Sequence, residues 1–337
     1  GVPPDEHPWI EQFGCTRSYR QLRDEIRAYY RRWYPLTPQA NAARWLNPGA
    51  AMVSKLCFEP RVGVAVLEAM LAPHRAHGRL QVLTRTRPVD ADTDGDRVSA
   101  VTLEGPDGRR ITVTAPYVID ATETGDLLPL AEIEYVTGFE SRGETGEPSA
   151  PAEAQPLNMQ AVTVCMAFEH RAGEDHTIDK PDDYTFWREY VPRVSPAWPG
   201  RQLSLTASHP HTLEPLHHTF TPNPDGDPTQ IIADQSKNPG SSELWLYRRL
   251  LARGQFTGGT LASDIVLGNW PMLDYLEGPV FEVDDAEAAR HLDGARRLTR
   301  AMFYWLQTEA PRPDGGTGFP GLRLRGDVLG TDDGLAM

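Results

Sequence analysis

Three groups of residues could do chemistry. The first is the turn Asp120-Ala121-Thr122-Glu123-Thr124-Gly125-Asp126, which follows the apolar run Tyr117-Val118-Ile119. Small residues at the carboxyl end of a sheet strand let backbone approach a bound ligand closely. Glu123 stands where a third small residue would fit best, and Thr124-Gly125-Asp126 restores a tight turn one residue later. The competing reading is an ordinary strand-to-helix turn with Asp126 as N-cap.

The second group is Gly316, Gly318 and Gly321, which match G-x-G-x-x-G literally. That motif holds a pyrophosphate only when a strand precedes it and a helix N-terminus follows. Here a long helical pattern and Pro311-Arg312-Pro313-Asp314 precede it. The alternating Leu322-Arg323-Leu324-Arg325 follows it. The run is therefore expected to be a glycine-rich loop entering a strand at 322–325.

The third group is polar. His209 and His211 form H-x-H, with His217 and His218 nearby. Imidazoles so spaced can bind metal, but no Cys lies close and no helical i, i+4 pair exists, so no metal site is assigned. The candidates for proton transfer are His209, His211 and Asp274. Cys15, Cys57 and Cys165 form no C-x-x-C and no disulfide framework. Trp187, Trp198, Trp245, Trp270 and Trp305 could stack on a sugar, or could be core aromatics.

These groups need elements to position them. Tyr19, Leu22, Ile26, Tyr29, Tyr30 and Trp33 recur at three and four residues and predict an amphipathic helix. Thr16 or Ser18 would cap it and Pro35 would stop it. Its other face carries Arg17, Arg20, Arg23, Arg27, Arg31 and Arg32, read as solvated, or alternatively as facing an anion. Glu59-Pro60 opens a second helix, which Pro73 ends or kinks. Strands are expected at 80–84, 97–104 and 109–114, a β-meander separated by Asp94-Gly95 and Pro106-Asp107-Gly108. A further strand is expected at 116–120, paired in a parallel sheet. Residues 140–160 read as a long loop, and 161–168 as a strand. Residues 241–253 read as helical and 265–267 as a strand core. A long helix capped by Asp284 or Asp285 runs to Pro311.

The chain has 337 residues and a net charge of −14. Such an acidic surface repels nucleic-acid backbones and anionic lipid. No run of about 18 apolar residues predicts a membrane span. A small-molecule partner is expected.

Taken in order, helix, strand, meander and small-residue turn resemble the middle of two-dinucleotide-fold flavoproteins. Val118-Ile119-Asp120-Ala121-Thr122 with Gly125-Asp126-Leu127-Leu128 carries the resemblance further. So do Ser263-Asp264-Ile265-Val266-Leu267 with Asn269-Trp270-Pro271 and Asp274-Tyr275, and the run Gly315 to Arg325. Together they are similar to the FAD-dependent oxidoreductase family whose members are often labelled xanthan-lyase-like. The similarity covers nearly the whole chain and is silent on substrate.

The resemblance implies an α/β fold: a flavoprotein core with a parallel sheet and β-meander crossover, plus a large mixed α+β substrate domain. It implies FAD-side roles for residues 1–135, substrate-side roles for 136–283, and a return helix and glycine-rich loop at 284–337. It implies Val89, Ala121, Thr122 and Gly125 at the adenine side of FAD, and Gly316, Thr317 and Gly318 toward its isoalloxazine ring. The reaction would be hydride transfer from a small-molecule or sugar-like substrate to flavin. The family pattern also places a strand, a G-x-G-x-x-G turn and a helix ahead of Gly1, and a strand and helix after Met337. The chain is thus expected to be incomplete, to hold FAD weakly and to be inactive alone. No secretory signal is expected at Gly1-Val2-Pro3-Pro4. A cytoplasmic setting is expected, with export left open. The rival reading is a carbohydrate-binding or lyase-type protein that uses no flavin.

Overall fold

The computed structural model describes residues 9–235 and 243–336. They divide into two compact units, one of Gly1–Met70 with Ala161–Met337 and one of Leu71–Gln160. Residues 136–160, read with the substrate-side stretch, thus belong to the same unit as the meander.

In the smaller unit, β1 (Arg87–Asp94), β2 (Arg97–Glu104) and β3 (Arg110–Val113) pair antiparallel in that order. The hairpin turns are where Gly supplies a left-handed backbone, with φ +56° at Gly95 and +75° at Gly108. Glu104 accepts from Arg87 (3.3 Å) and Arg110 (3.0 Å), one partner on each flanking strand. Hence the meander is present, with its first strand at 87–94 and not at 80–84. The sequence Arg-Pro-Val-Asp-Ala-Asp-Thr-Asp is polar and Pro-bearing, which argues against a strand. Two register irregularities, at Pro88/Asp90 and Asp92/Thr93, let it pair with β2 all the same.

The expected strand at 116–120 is not formed. No ladder among the described residues includes 80–84 or 116–120, and every ladder among them is antiparallel, so the expected parallel sheet is absent there. An apolar run becomes a strand only when another backbone meets its N–H and C=O groups. Residues 116–120 meet none, and Tyr117 and Ile119 stand 87% and 85% exposed.

In the larger unit the main sheet runs β11 (Leu322–Leu324), β5 (Cys165–His170), β9 (Ile265–Gly268), β8 (Arg249–Leu251), with β12 (Leu335–Ala336) also pairing β5. Met166, Ala167 and Phe168 of β5 are fully buried at its centre. Two short pairs adjoin it: β4 (Val162–Thr163) with β10 (Asp274–Tyr275), and β6 (Thr206–Ser208) with β7 (Pro215–His217).

Helix α1 spans Arg17–Trp33, and its N-cap Thr16 accepts from Tyr19 N. Helix α2 spans Pro60–Ala76 with Pro73 inside it. The long helix, α5, spans Asp285–Thr308 and is capped by Asp284. Leu298, Ala301, Met302 and Leu306 of α5 are buried in the main core. Gly294 lets α5 come close to Tyr275, because a Cβ there would lie 2.6 Å from the ring.

Two expectations hold only in part in this unit. The arginine face of α1 is not simply solvated: Arg23 and Arg27 are 1% exposed. Both pair with the Glu11 carboxylate, and Arg27 also donates through Nε to Leu46 O (3.0 Å). A buried guanidinium is tolerated when a carboxylate and carbonyls take its donors. Of the expected helix at 241–253, the part within the described residues holds only the one-turn α4 (Leu244–Tyr247), followed by β8. Arg249 explains the switch. It is 1% exposed and donates to Asp264 (2.9 Å), Gly49 O (2.7 Å) and Ala50 O (2.9 Å), which fixes the extended strand beside β9. In the smaller unit a one-turn helix, α3 (Leu127–Leu130), follows the turn at 120–126.

Candidate active site

The β4–β10 register sets Thr163 opposite Asp274. Thr163 Oγ1 donates to Asp274 Oδ1 at 2.5 Å. A 3-10 turn at Pro271–Leu273 delivers Asp274 to this place. Met272 and Leu273 are buried, so packing fixes the approach of the chain. The fully buried Gln202 donates to the Asp274 main-chain carbonyl at 2.6 Å. Tyr275 next door is buried too, and its hydroxyl bonds His291 Nδ1 at 3.0 Å.

Cys165 opens β5, Asn269 follows β9, and Arg248 lies between α4 and β8. Thr163, Cys165, Arg248, Asn269 and Asp274 all keep partial access to solvent, although most of their neighbours have none. Arg248 Nε donates to Asn269 O (3.1 Å), and its guanidinium lies 5.4 Å from the Tyr247 ring centroid. Burial pushes the Asp274 carboxyl up to about 6, while the Thr163 hydroxyl and the Arg248 charge act the other way. Burial likewise raises the Cys165 thiol, so this cysteine is not an activated thiolate. A carboxyl tuned toward neutrality at a partly open position suits proton transfer.

His209 and His211 lie in the connection between β6 and β7. The ring nitrogen Nδ1 of His209 accepts from His211 N (3.2 Å) and Thr212 N (3.1 Å) at the β6–β7 connection. No hydrogen bond or ion pair among the described residues joins either imidazole to Asp274.

The glycine-rich run is a loop that enters β11, as expected, with no helix starting there. Gly318 has φ +72°, and a Cβ on it would lie 2.5 Å from Gln307 O. Gly318 N also donates to Ala310 O at 2.8 Å. The loop flanks a cleft of about 600 Å³ lined by His170, Arg312, Asp314, Phe319 and Gly321 among others. Burial, then the Arg312 charge, lowers the His170 imidazole, which favours its neutral form.

In the smaller unit the turn at 120–126 is organised around Asp120. Its Oδ1 accepts from Thr122 N (2.9 Å) and Thr122 Oγ1 (2.7 Å), and its Oδ2 from Leu127 N (3.0 Å). Thr122 Oγ1 in turn accepts from Asp126 N at 2.8 Å. These bonds hold the Asp120 carboxyl below its usual range. Gly125 takes φ +67°, the left-handed geometry for which it was chosen. Ala121 and Thr122 are exposed, and Val89 on β1 is half-buried in the same unit.

This preformed small-residue turn is entered by an exposed apolar strip and stays open to solvent. A pyrophosphate needs a different feature. Among the described residues no α-helix but the one-turn Gly326–Leu329 begins directly after a strand, and no helix of two turns or more starts from a strand and glycine turn to offer its N-terminal amides.

The tryptophans are not stacking platforms. Trp187, Trp245, Trp270 and Trp305 are 8% exposed or less, within the main core cluster, and Trp198 packs against that cluster. Sequence reasoning named Asp274 as one of three candidates, and did not name Thr163 or Arg248. Their meeting depends on strand pairing over more than a hundred residues for Thr163, which no local pattern announces.

The family model for FAD dependent oxidoreductases matches residues 1–335 of the chain. No curated protein and no solved structure matches it.

Proposed function

The chain belongs to the FAD-dependent oxidoreductase family, and on that premise we propose that Asp274 is the group that takes the substrate's proton. The protein is an enzyme with FAD as cofactor. When bound, FAD supplies the two-electron acceptor, and the organic chemistry of hydride acceptance is its own.

The chain's residues do the rest. A substrate that gives up a hydride from a C–H bond must also release a proton from the adjacent O–H or N–H. Asp274 in its carboxylate form receives that proton on Oδ. Thr163 holds the carboxylate in one orientation, and Gln202 fixes the backbone behind it. The observation that carries this reading is a carboxyl raised to about 6, at a partly open position, within the motif Asn269-Trp270-Pro271 to Asp274-Tyr275. In the smaller unit, Val89, Ala121, Thr122 and Gly125 are proposed to hold the adenosine end of FAD. The substrate-side role is assigned to residues around Asp274. Without a pyrophosphate-holding helix among the described residues, the chain by itself is proposed to hold FAD weakly.

Anaerobic mixing of the enzyme, in enough FAD to saturate it, with a panel of sugars, hydroxy acids and amines tests the proton role. Bleaching of the flavin identifies a reductant. D274N should then bind FAD as the wild type does and lose most of the bleaching rate. Full-rate bleaching by D274N would refute the assignment.

A further inference from the structure

Near Asp274 stands a cation that no carboxylate among the described residues meets in an ion pair. The contrast with its neighbour in sequence is plain. Arg249 meets Asp264 at 2.9 Å and two backbone carbonyls. Arg248 has its Nε on Asn269 O and its plane near Tyr247, and no carboxylate among the described residues is in ion-pair contact with it. None of its nitrogens is a buried polar atom left without a partner, so the guanidinium keeps access to an incoming anion. Its Nη groups form the fork that reads a carboxylate through two parallel hydrogen bonds.

The fork is also held in place. Nε is fixed by Asn269 O, and Arg248 O accepts from Leu267 N (3.0 Å), so the residue is tied to the end of β9 on both sides. Asn269, whose carbonyl holds Arg248, follows Gly268, which pairs with Met166 beside Cys165, and Thr163, two residues before Cys165, pairs with Asp274.

We infer that Arg248 anchors the carboxylate of an acidic substrate, a hydroxy acid in which the C–OH to be oxidised lies next to that carboxylate. The inference rests on the reading of Asp274 as proton acceptor, because it places the hydroxyl at Asp274 and the carboxylate at Arg248. A neutral sugar would leave the guanidinium unpaired. The site therefore selects for the acid over the neutral polyol of equal length.

Cys165 gives a readout that needs no turnover. Gluconate and sorbitol serve as probes, since they share a six-carbon polyol frame and differ in the carboxylate. The rate of alkylation of Cys165 by iodoacetamide is followed by mass spectrometry of its peptide. Gluconate should slow the reaction about fourfold at three times its Kd, and sorbitol should leave it unchanged. R248M should lose the protection, R248K should keep part of it, and D274N should keep most of it. Equal protection by sorbitol, or full gluconate protection in a folded R248M, would overturn the inference. The two readings also fail separately. If D274N still bleaches flavin at full rate while gluconate protection depends on Arg248, the proton role falls and the anion site stands. If gluconate never protects but D274N abolishes bleaching, the anion site falls and the proton role stands.

Discussion

Thr163 Oγ1 sits 2.5 Å from Asp274 Oδ1, across a two-residue strand pair that joins positions 111 residues apart. The donor stabilises the carboxylate against the burial that opposes it. Removing it in T163V should push the Asp274 carboxyl above its present value of about 6. A carbon-detected NMR titration of labelled Asp side chains reads this directly. A titration midpoint that stays put or falls in T163V would show that the hydroxyl does not support the charged form.

The rate should follow the same carboxyl. A proton acceptor works when deprotonated, so flavin reduction should rise with pH through about 6 and then level off. D274N should lose that limb along with the rate, and T163V should shift it to higher pH. A limb at the same pH in T163V and wild type would separate it from Asp274.

Stability carries the opposite sign. The folded value of Asp274 lies above the ordinary 3.8, so its contribution is fully present below that value and is lost as pH rises through about 6. D274N, whose amide oxygen can still accept from Thr163, should therefore gain stability over wild type at pH 7, by up to roughly 2–3 kcal/mol, and gain little at pH 4. Urea unfolding at both pH values checks this. A D274N protein less stable at pH 7 would mean that the charged form is held better than burial suggests.

Asp264 tests the frame that carries the site. It accepts from Arg249 (2.9 Å), Trp245 Nε1 (2.9 Å) and Arg253 N (2.7 Å), and it is 2% exposed. D264A leaves a buried guanidinium and a buried indole N–H without their acceptor. The expected loss is about 3–5 kcal/mol, seen as a large fall in the unfolding midpoint. A loss under about 1 kcal/mol would mean that water or a shifted side chain replaces the carboxylate.

Local signals made much of this legible. The Thr16 cap, the apolar spacing of α1, the Asp284 cap of α5 and the two Asp-Gly-type turns are short-range features, and each forms where the sequence places it. The loop at 314–321 was also legible, because Leu322-Arg323-Leu324 alternates and leaves no helix to follow the glycines. Burial of Arg23 and Arg27 was not, because it depends on Glu11 arriving from outside the helix. Residues 116–120 misled in the other direction. Tyr-Val-Ile has strand character, but strand formation requires a pairing backbone that the segment itself does not supply. Asp274 could be named as one of three candidates, while Thr163 and Arg248 came into view only through the antiparallel ladders.

FAD titration of the chain tests the central claim most directly, with FMN and the G125V variant alongside. The claim is that this oxidoreductase holds FAD by its adenosine end at the turn 120–126. Among the described residues no helix of two turns or more offers amides to a pyrophosphate directly after a strand, and several charge-assisted contacts worth about 1.5–3 kcal/mol each are not supplied by them. That removes more than about 5 kcal/mol, or nearly four decades of affinity. Flavin fluorescence should therefore report weak binding of FAD, no measurable binding of FMN, and weaker binding still in G125V, where a β-branched residue must adopt φ +67°. Stoichiometric, sub-micromolar binding of FAD and FMN alike, unchanged in G125V, would contradict the account.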